Sequence, residues 1–138
     1  MRNNNNSSDS RRYFDWISHA KLDYISAQNL LKDERCYLCV AFHCQQCIEK
    51  ALKAYILYTK HILVDGHNLT WLCKQAMKQS DHFEKYLKDS VKLNKYYIET
   101  RYPADKPMNI DYQTITKLFE ITTEMFDFIG EEMKFNFR

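Results

Sequence analysis

The stretch from Cys36 to Lys60 contains neither glycine nor proline, and it constrains the fold more than any other feature of the sequence. Its alanine, leucine, glutamine, glutamate and lysine residues are strong helix formers, so the stretch predicts one long α-helix. The chain has only 2 glycines and 2 prolines in 138 residues, which favours long helices over a sheet of many strands. Apolar or small side chains recur at helical spacing along one face of the predicted helix, namely Tyr37, Ala41, Cys44, Ile48, Ala51, Leu52 and Tyr55.

A polar row occupies the opposite face of this helix, within an arc of roughly 100° at 3.6 residues per turn. The row consists of Gln46, Glu49, Lys50 and Lys53. Glu49 precedes Lys53 by four residues, which is the favourable order for opposite charges on a helix. We therefore predict that one face packs in the core and that the other presents this row at the surface, as part of a site.

Hydrophobic periodicity predicts four further helices. The first is expected to begin after a capping residue within 8–10, and the long second helix to stop near the turn at 65–66. Asn68 is expected to cap the third helix, the fourth is expected to run over 82–98, and Asp111 is expected to cap the fifth. The predicted fold class is all-α, an up-and-down bundle of about five helices.

The chain is predicted to form one domain. Residues 1–9 are rich in asparagine and serine and are expected to be a disordered polar tail, followed by a single helical domain over 10–138. No apolar run approaches the roughly 20 residues that span a bilayer, and the N-terminus lacks the apolar segment of a signal peptide. With 5 cysteines and no export signal, we expect a reduced, cytoplasmic setting.

Two Cys-x2-Cys motifs, Cys36 with Cys39 and Cys44 with Cys47, have the spacing of zinc half-sites. All four lie on the same predicted helix, where Cys36 and Cys47 are roughly 16 Å apart along the axis. One ion cannot bind both motifs, so small buried or half-buried side chains are the favoured interpretation. We expect no metal and no cofactor, and the sequence contains no phosphate-binding glycine loop and no hydrolase or kinase motif.

A second candidate region follows the fourth predicted helix, where Arg101 and Tyr102 precede Pro103. Arginine can contact phosphate through two N–H groups and can stack on aromatic rings. Alternatively, Arg101 pairs with an acid or with the carbonyl groups at the helix end and locks the loop. His67 stands beside a turn and a helix start, where a ligand contact and a capping role are both open.

Three pieces of the chain resemble a known family when they are taken in order. They are Ala41-Phe42-His43-x2-Gln46-x2-Glu49-Lys50-x2-Lys53, then His67-Asn68-Leu69, then Tyr97-x3-Arg101-Tyr102-Pro103. Together they resemble the HEPN domain family (higher eukaryotes and prokaryotes nucleotide-binding), over about 13–135. The resemblance implies an all-α bundle that often forms a homodimer. It also implies association with nucleotide or RNA, and genetic pairing with a minimal nucleotidyltransferase in many bacteria and archaea.

Many members of the wider family are endoribonucleases with an R-x4-6-H motif late in the bundle. No histidine follows Arg101 in this chain, and seven residues separate Arg35 from His43, one too many for the motif. Arg12 and His19 fit the spacing formally, but they lie at the start of the first helix. The resemblance therefore favours a binding member of the family over an enzyme, and we assign no catalytic residue.

The preferred hypothesis is a nucleotide- or RNA-binding module that acts with a nucleotidyltransferase partner. The expected ligand contacts are Lys50, Lys53, Arg101, Tyr102 and His67, with Gln46 and Glu49 as a structural polar row. One alternative is a dimerisation or protein-interaction subunit without ligand, in which the polar row is hydrogen-bonded across helices. The other is a metal-independent endoribonuclease toxin of a toxin–antitoxin pair.

Overall fold

The computed structural model describes residues 8–99, 103 and 109–138, and every regular element within them is helical. The α-helical segments are α1 (Tyr13–Leu30), α2 (Tyr37–Lys60), α3 (Leu69–Met77), α4 (Leu87–Asn94), α5 (Tyr96–Glu99) and α6 (Tyr112–Met133). Two 3₁₀ turns, Glu34–Cys36 and Asp81–Tyr86, lead into α2 and α4. The predicted all-α fold class is confirmed. Among the helices described, none has the length and apolar character needed to cross a membrane.

α2 is the central helix of the bundle, because α1, α3, α5 and α6 all pack against it. Every side chain in 51–57 is buried, and burial extends to charged residues, with Glu49 only 3% and Lys53 only 5% exposed. The prediction that the polar row lies on an exposed face is therefore wrong for these two residues. A helix surrounded on several sides has no fully solvated face, so its polar side chains need partners inside the protein.

α1 runs antiparallel to α2, as the order of their contacts shows. Trp16 at the start of α1 contacts Lys53 late in α2, whereas Asp23 contacts His43 early in α2. The other side of α1 faces α6, where the buried ring of Tyr24 stacks on aromatic rings of that helix. α1 and α6 thus enclose α2 and bring the polar side of α2 against α1.

Two predicted helix caps are confirmed. The Asn68 side chain accepts a hydrogen bond from the Trp71 backbone N–H at 3.0 Å, and the Asp111 side chain accepts one from the Thr114 N–H at 2.8 Å. Hydrogen bonding from Thr114 also holds the pKa of Asp111 below its usual value. Each cap satisfies an N–H group that has no partner inside its own helix.

The start of α1 differs from the prediction. The helix begins at Tyr13 and has no side-chain cap within 8–10. The Ser10 hydroxyl instead donates to the Asp15 carboxylate at 2.6 Å, and the Ser10 carbonyl accepts from the indole N–H of Trp16 at 2.9 Å. Ser10 therefore fastens the chain entering the bundle to the side of α1. Of the predicted tail over 1–9, only residues 8 and 9 are described, and the single domain over 10–138 stays a prediction.

Two further helix boundaries differ from the predicted ones. α2 ends at Lys60, before the predicted stop near 65–66, because His61 adopts a left-handed conformation with φ 59°. The N–H of His61 then donates to the Leu57 carbonyl at 2.9 Å, which closes the helix. The predicted fourth helix over 82–98 is divided into a 3₁₀ turn, α4 and α5.

The break between α4 and α5 follows Asn94. Its side-chain oxygen accepts a hydrogen bond from the Leu69 N–H at 2.7 Å, at the first turn of α3. Asparagine is a poor residue for a helix interior because its side chain competes for backbone partners, and here the partner belongs to another helix. This contact holds the α4–α5 junction beside the start of α3.

Gly130 lies within α6 and does not end it, since the helix continues to Met133 and closes at Lys134 with φ 65°. The chain then turns back, and the Phe135 N–H donates to the Gly130 carbonyl at 2.8 Å. A Cβ atom at Gly130 would lie 2.8 Å from the Phe135 oxygen and 3.2 Å from the ring of Phe137. Glycine is required here by the close approach of the C-terminal segment.

We expect Gly130→Ala to destabilise the protein. In an open helix this change stabilises by about 1 kcal/mol, but here the added methyl group must displace backbone, at an expected net cost of about 1–3 kcal/mol. Chemical denaturation would measure the free energy of unfolding, with the exposed α6 substitution Glu124→Ala as a control that changes it by less than about 0.5 kcal/mol. An increase in stability for Gly130→Ala would show that the C-terminal segment does not pack on α6.

Candidate functional site

The Glu49 carboxylate lies at the centre of a buried hydrogen-bond network on α2. Its Oε2 accepts from Lys53 Nζ at 3.2 Å and lies 2.9 Å from Nδ1 of His67. Its Oε1 accepts from the amides of Gln45 and Gln46 at 3.2 and 3.3 Å. We call these five side chains the Glu49 network. Burying a carboxylate is unfavourable unless cations or hydrogen-bond donors replace the water it loses, and here both of its oxygens have such partners.

Lys53 is held entirely within the fold. Its ammonium group contacts Glu49 and lies 5.6 Å from the centre of the Trp16 ring on α1. A cation above an indole ring is attracted by the negative face of the ring, and more strongly when water is excluded. The charge of Lys53 is therefore balanced by its neighbours and does not project into solvent.

His67 connects the Glu49 network to the surface. Its side chain is 51% exposed, and its ring stacks on Tyr97 of α5 with centroids 4.4 Å apart and planes 14° apart. The backbone carbonyl of His67 also accepts from the Gln45 amide at 3.3 Å. α2 thus holds both the ring and the backbone of His67. One edge of the ring is fixed, one face is covered, and the remaining surface meets solvent.

A second ion cluster, which we call the Asp23 bridge, joins α1 to α2. The Asp23 carboxylate accepts from Lys50 Nζ at 2.7 Å, and its other oxygen lies 2.8 Å from Nδ1 of His43. Asp23 is nearly buried, whereas the Lys50 side chain is 23% exposed. Lys50 also lines a surface depression of about 510 Å³ together with Trp16 and His19 of α1.

The predicted ligand contacts differ in their exposure to solvent, and the structure does not describe all of them. Lys50 is partly exposed and His67 is half-exposed, whereas Lys53 is buried. Arg101 and Tyr102 lie outside the described residues, so their part in a site stays a prediction. Gln46 and Glu49 form hydrogen bonds within the protein, and their assignment as a structural polar row stays a prediction.

Sequence reasoning missed several residues of these clusters. Asp23 carried a signal, because it lies between Ala20 and Ala27 on the buried side of α1, where an acid needs a cationic partner. Gln45 carried none, since a polar residue next to an apolar stripe has no defined partner until the neighbouring helices are placed. Tyr97 belonged to the motif that resembles the HEPN family, but its stacking on His67 was not predicted.

The cysteines divide into a buried and a surface group. Burial raises the pKa of the Cys44 thiol to about 12 and the pKa of Cys47 well above its usual value. Cys36 is half-buried, as expected, but Cys39 is exposed, because it lies in the first turn of α2 before the helix enters the core. Within the described residues, no three histidine, cysteine or acidic side chains are grouped as a metal site.

We expect Glu49→Gln to lower the free energy of unfolding by about 3–5 kcal/mol, because the buried Lys53 ammonium loses its counter-charge. A matched control is Glu120→Gln, which removes a 59% exposed carboxylate lying 4.0 Å from Lys117 and changes stability by less than about 0.5 kcal/mol. Urea denaturation of both variants gives the comparison. Similar small effects for the two would mean that the Glu49 network does not stabilise the bundle.

Comparison with known proteins agrees with this architecture. The sequence profile of the HEPN domain matches residues 13–133. The crystal structure of TT1696 from Thermus thermophilus superposes with a TM-score of 0.79 at 26% sequence identity, over 89% of this chain and 99% of that chain. No curated protein sequence matches the chain significantly. Because the profile spans most of the chain, the chain belongs to the HEPN domain family.

Proposed function

We propose that the chain is a non-catalytic HEPN module that binds a nucleotide or RNA and acts in the cytoplasm with a minimal nucleotidyltransferase partner. The observation that supports this most directly is the fixed, half-exposed ring of His67. The ring is held by Glu49 at one edge and by Tyr97 on one face, so a ligand meets it without having to order it first.

A nucleobase is the ligand group that suits this ring pair. Bases of unpaired nucleotides stack on histidine and tyrosine rings, and each such contact contributes about 1–3 kcal/mol. Because every base has a stacking face, the ring pair predicts binding with little preference among bases. Tyr102, five residues after Tyr97 in the sequence, is proposed as a further stacking partner.

The phosphate contacts are assigned to Lys50 and Arg101. Lys50 is partly exposed, and we assign its ammonium group to a phosphate oxygen while it also stays bound to Asp23. Arg101 is proposed for a two-pronged phosphate contact. Lys53 was also expected to contact the ligand. Its burial against Trp16 instead suits a positioning role, in which Lys53 holds Glu49 and Glu49 holds the His67 ring.

Binding without cleavage is proposed because the R-x4-6-H motif of the family's ribonucleases is missing from the late part of this sequence. Pairing with a nucleotidyltransferase, in the manner of a toxin–antitoxin pair, rests on the family resemblance. In such a pair the module would supply ligand binding or docking, and the partner would supply the transfer chemistry.

We expect His67→Ala to weaken binding of a fluorescent single-stranded RNA, or of a labelled nucleotide, at least fivefold, because the stacking surface is lost. Fluorescence anisotropy measures the affinity. His82→Ala is the matched control, since His82 is also exposed and lies 3.1 Å from a glutamate, on the 3₁₀ turn before α4. Equal affinities for His67→Ala and the parent protein would refute the assignment of the site, and no binding by the parent protein would refute the function.

A homodimer, the second candidate, is favoured by an outward apolar stripe on α1. Phe14, Leu22 and Ile25 are exposed, with Leu22 at 59%, and their spacing places them on one side of the helix. Exposed aromatic and aliphatic side chains aligned along a helix are typical of helix–helix interfaces. We propose that the stripe packs against the same stripe of a second copy, which is compatible with ligand binding at His67.

We expect Leu22→Glu to shift the protein from dimer to monomer in sedimentation experiments, because two buried carboxylates would face each other across the interface. Gln113→Glu adds the same charge at an exposed position of α6 instead of α1 and should leave the dimer intact. A parent protein that is monomeric at high concentration would contradict the homodimer.

A further inference from the structure

Two Cys-x2-Cys motifs with identical spacing occupy different environments on the same helix. Cys44 and Cys47 lie in the middle of α2 and are fully buried. Cys36 is the N-cap residue of α2 and is half-buried, and Cys39 lies in the first helical turn and is exposed. The proposed ligand site uses neither motif. The two thiols of the first motif therefore lie at or near the surface. The second motif has the same spacing but is buried, so it is an internal control for the effect of exposure on thiol reactivity.

The geometry of the first motif permits a disulfide. Residues three apart on a helix have Cβ atoms about 5–6 Å apart, and a disulfide requires about 3.5–4.5 Å. Within a regular helix the backbone resists this change. Cys36 is the last residue of the 3₁₀ turn, and its φ and ψ of −108° and 11° differ from α-helical values, so the constraint of a regular α-helix does not apply at this end of the pair.

Exchange begins at the exposed sulfur. Cys39 lies at the surface in the first turn of α2, so a small disulfide can reach it while the protein is folded. Thiolates are the reactive form in thiol–disulfide exchange.

We propose that Cys36 and Cys39 form a dithiol that is reversibly oxidised to an intramolecular disulfide by a low-molecular-weight disulfide of the glutathione class. The exposed Cys39 thiolate attacks one sulfur of the small disulfide, whose S–S bond breaks and releases one small thiol. The Cys36 thiolate then attacks the Cys39 sulfur and releases the second small thiol. Two cysteine thiols lose two electrons and two protons, and the small disulfide gains them as two thiols.

The buried motif does not react in this way. Cys44 and Cys47 have no exposed surface, and burial raises the pKa of both thiols, so they stay protonated and inaccessible while the protein is folded. Cys73 is also buried. Reaction with a small disulfide is thus confined to the first turn of α2.

The test is to incubate the folded protein with oxidised glutathione, alkylate the remaining thiols and locate the modifications by peptide mass spectrometry. We expect a Cys36–Cys39 disulfide that dithiothreitol reverses, with Cys44, Cys47 and Cys73 alkylated only after denaturation. Stable glutathione adducts on both surface cysteines without an internal disulfide, no reaction at Cys39, or a disulfide involving a buried cysteine would each overturn the proposal.

Two variants test the order of the steps. Cys36→Ser should trap glutathione on Cys39, because no second thiol is left to displace it. Cys39→Ser should form no internal disulfide. An internal disulfide in either variant would overturn the assignment of the pair. Circular dichroism checks that both variants stay folded. The outcome of the disulfide test does not depend on whether the protein binds a nucleotide.

Discussion

The buried pair of Glu49 and Lys53 is the interaction on which the candidate site depends. Removing two charges from water is unfavourable unless cations, hydrogen-bond donors and aromatic faces replace the lost solvent. The fold supplies these from three directions, with the glutamine amides of α2, the Trp16 ring of α1 and the His67 ring before α3. The same contacts that balance the charge fix the position of the segment between α2 and α3.

This arrangement explains how an irregular segment can carry an ordered surface. His67 belongs to the connection between two helices, yet its ring and backbone are both tied to α2, the most enclosed helix of the bundle. α5 is held next to it by the Tyr97 stack and by the contact of Asn94 with the start of α3. Sites whose groups are held by rigid elements bind with less loss of conformational entropy.

Much of the fold was predictable because local signals coincided with the final structure. The long helix and the caps at Asn68 and Asp111 follow from residue preferences that act over one or two turns. The burial of Glu49 and Lys53 was not predictable, because periodicity identifies the side opposite the apolar stripe but not how many helices cover it. The end of α2 was also not predictable, because a histidine does not indicate that its backbone will adopt the left-handed conformation found at His61.

The most direct test of the central claim is an NMR titration of ¹⁵N-labelled protein with a panel of nucleotides and a short RNA. We predict saturable shifts at His67, Tyr97 and Lys50, with the exposed α6 residue Lys117 unaffected. Shifts centred on another surface, or none at millimolar ligand, would contradict it, and the buried charges of α2 would then serve the stability of the bundle alone.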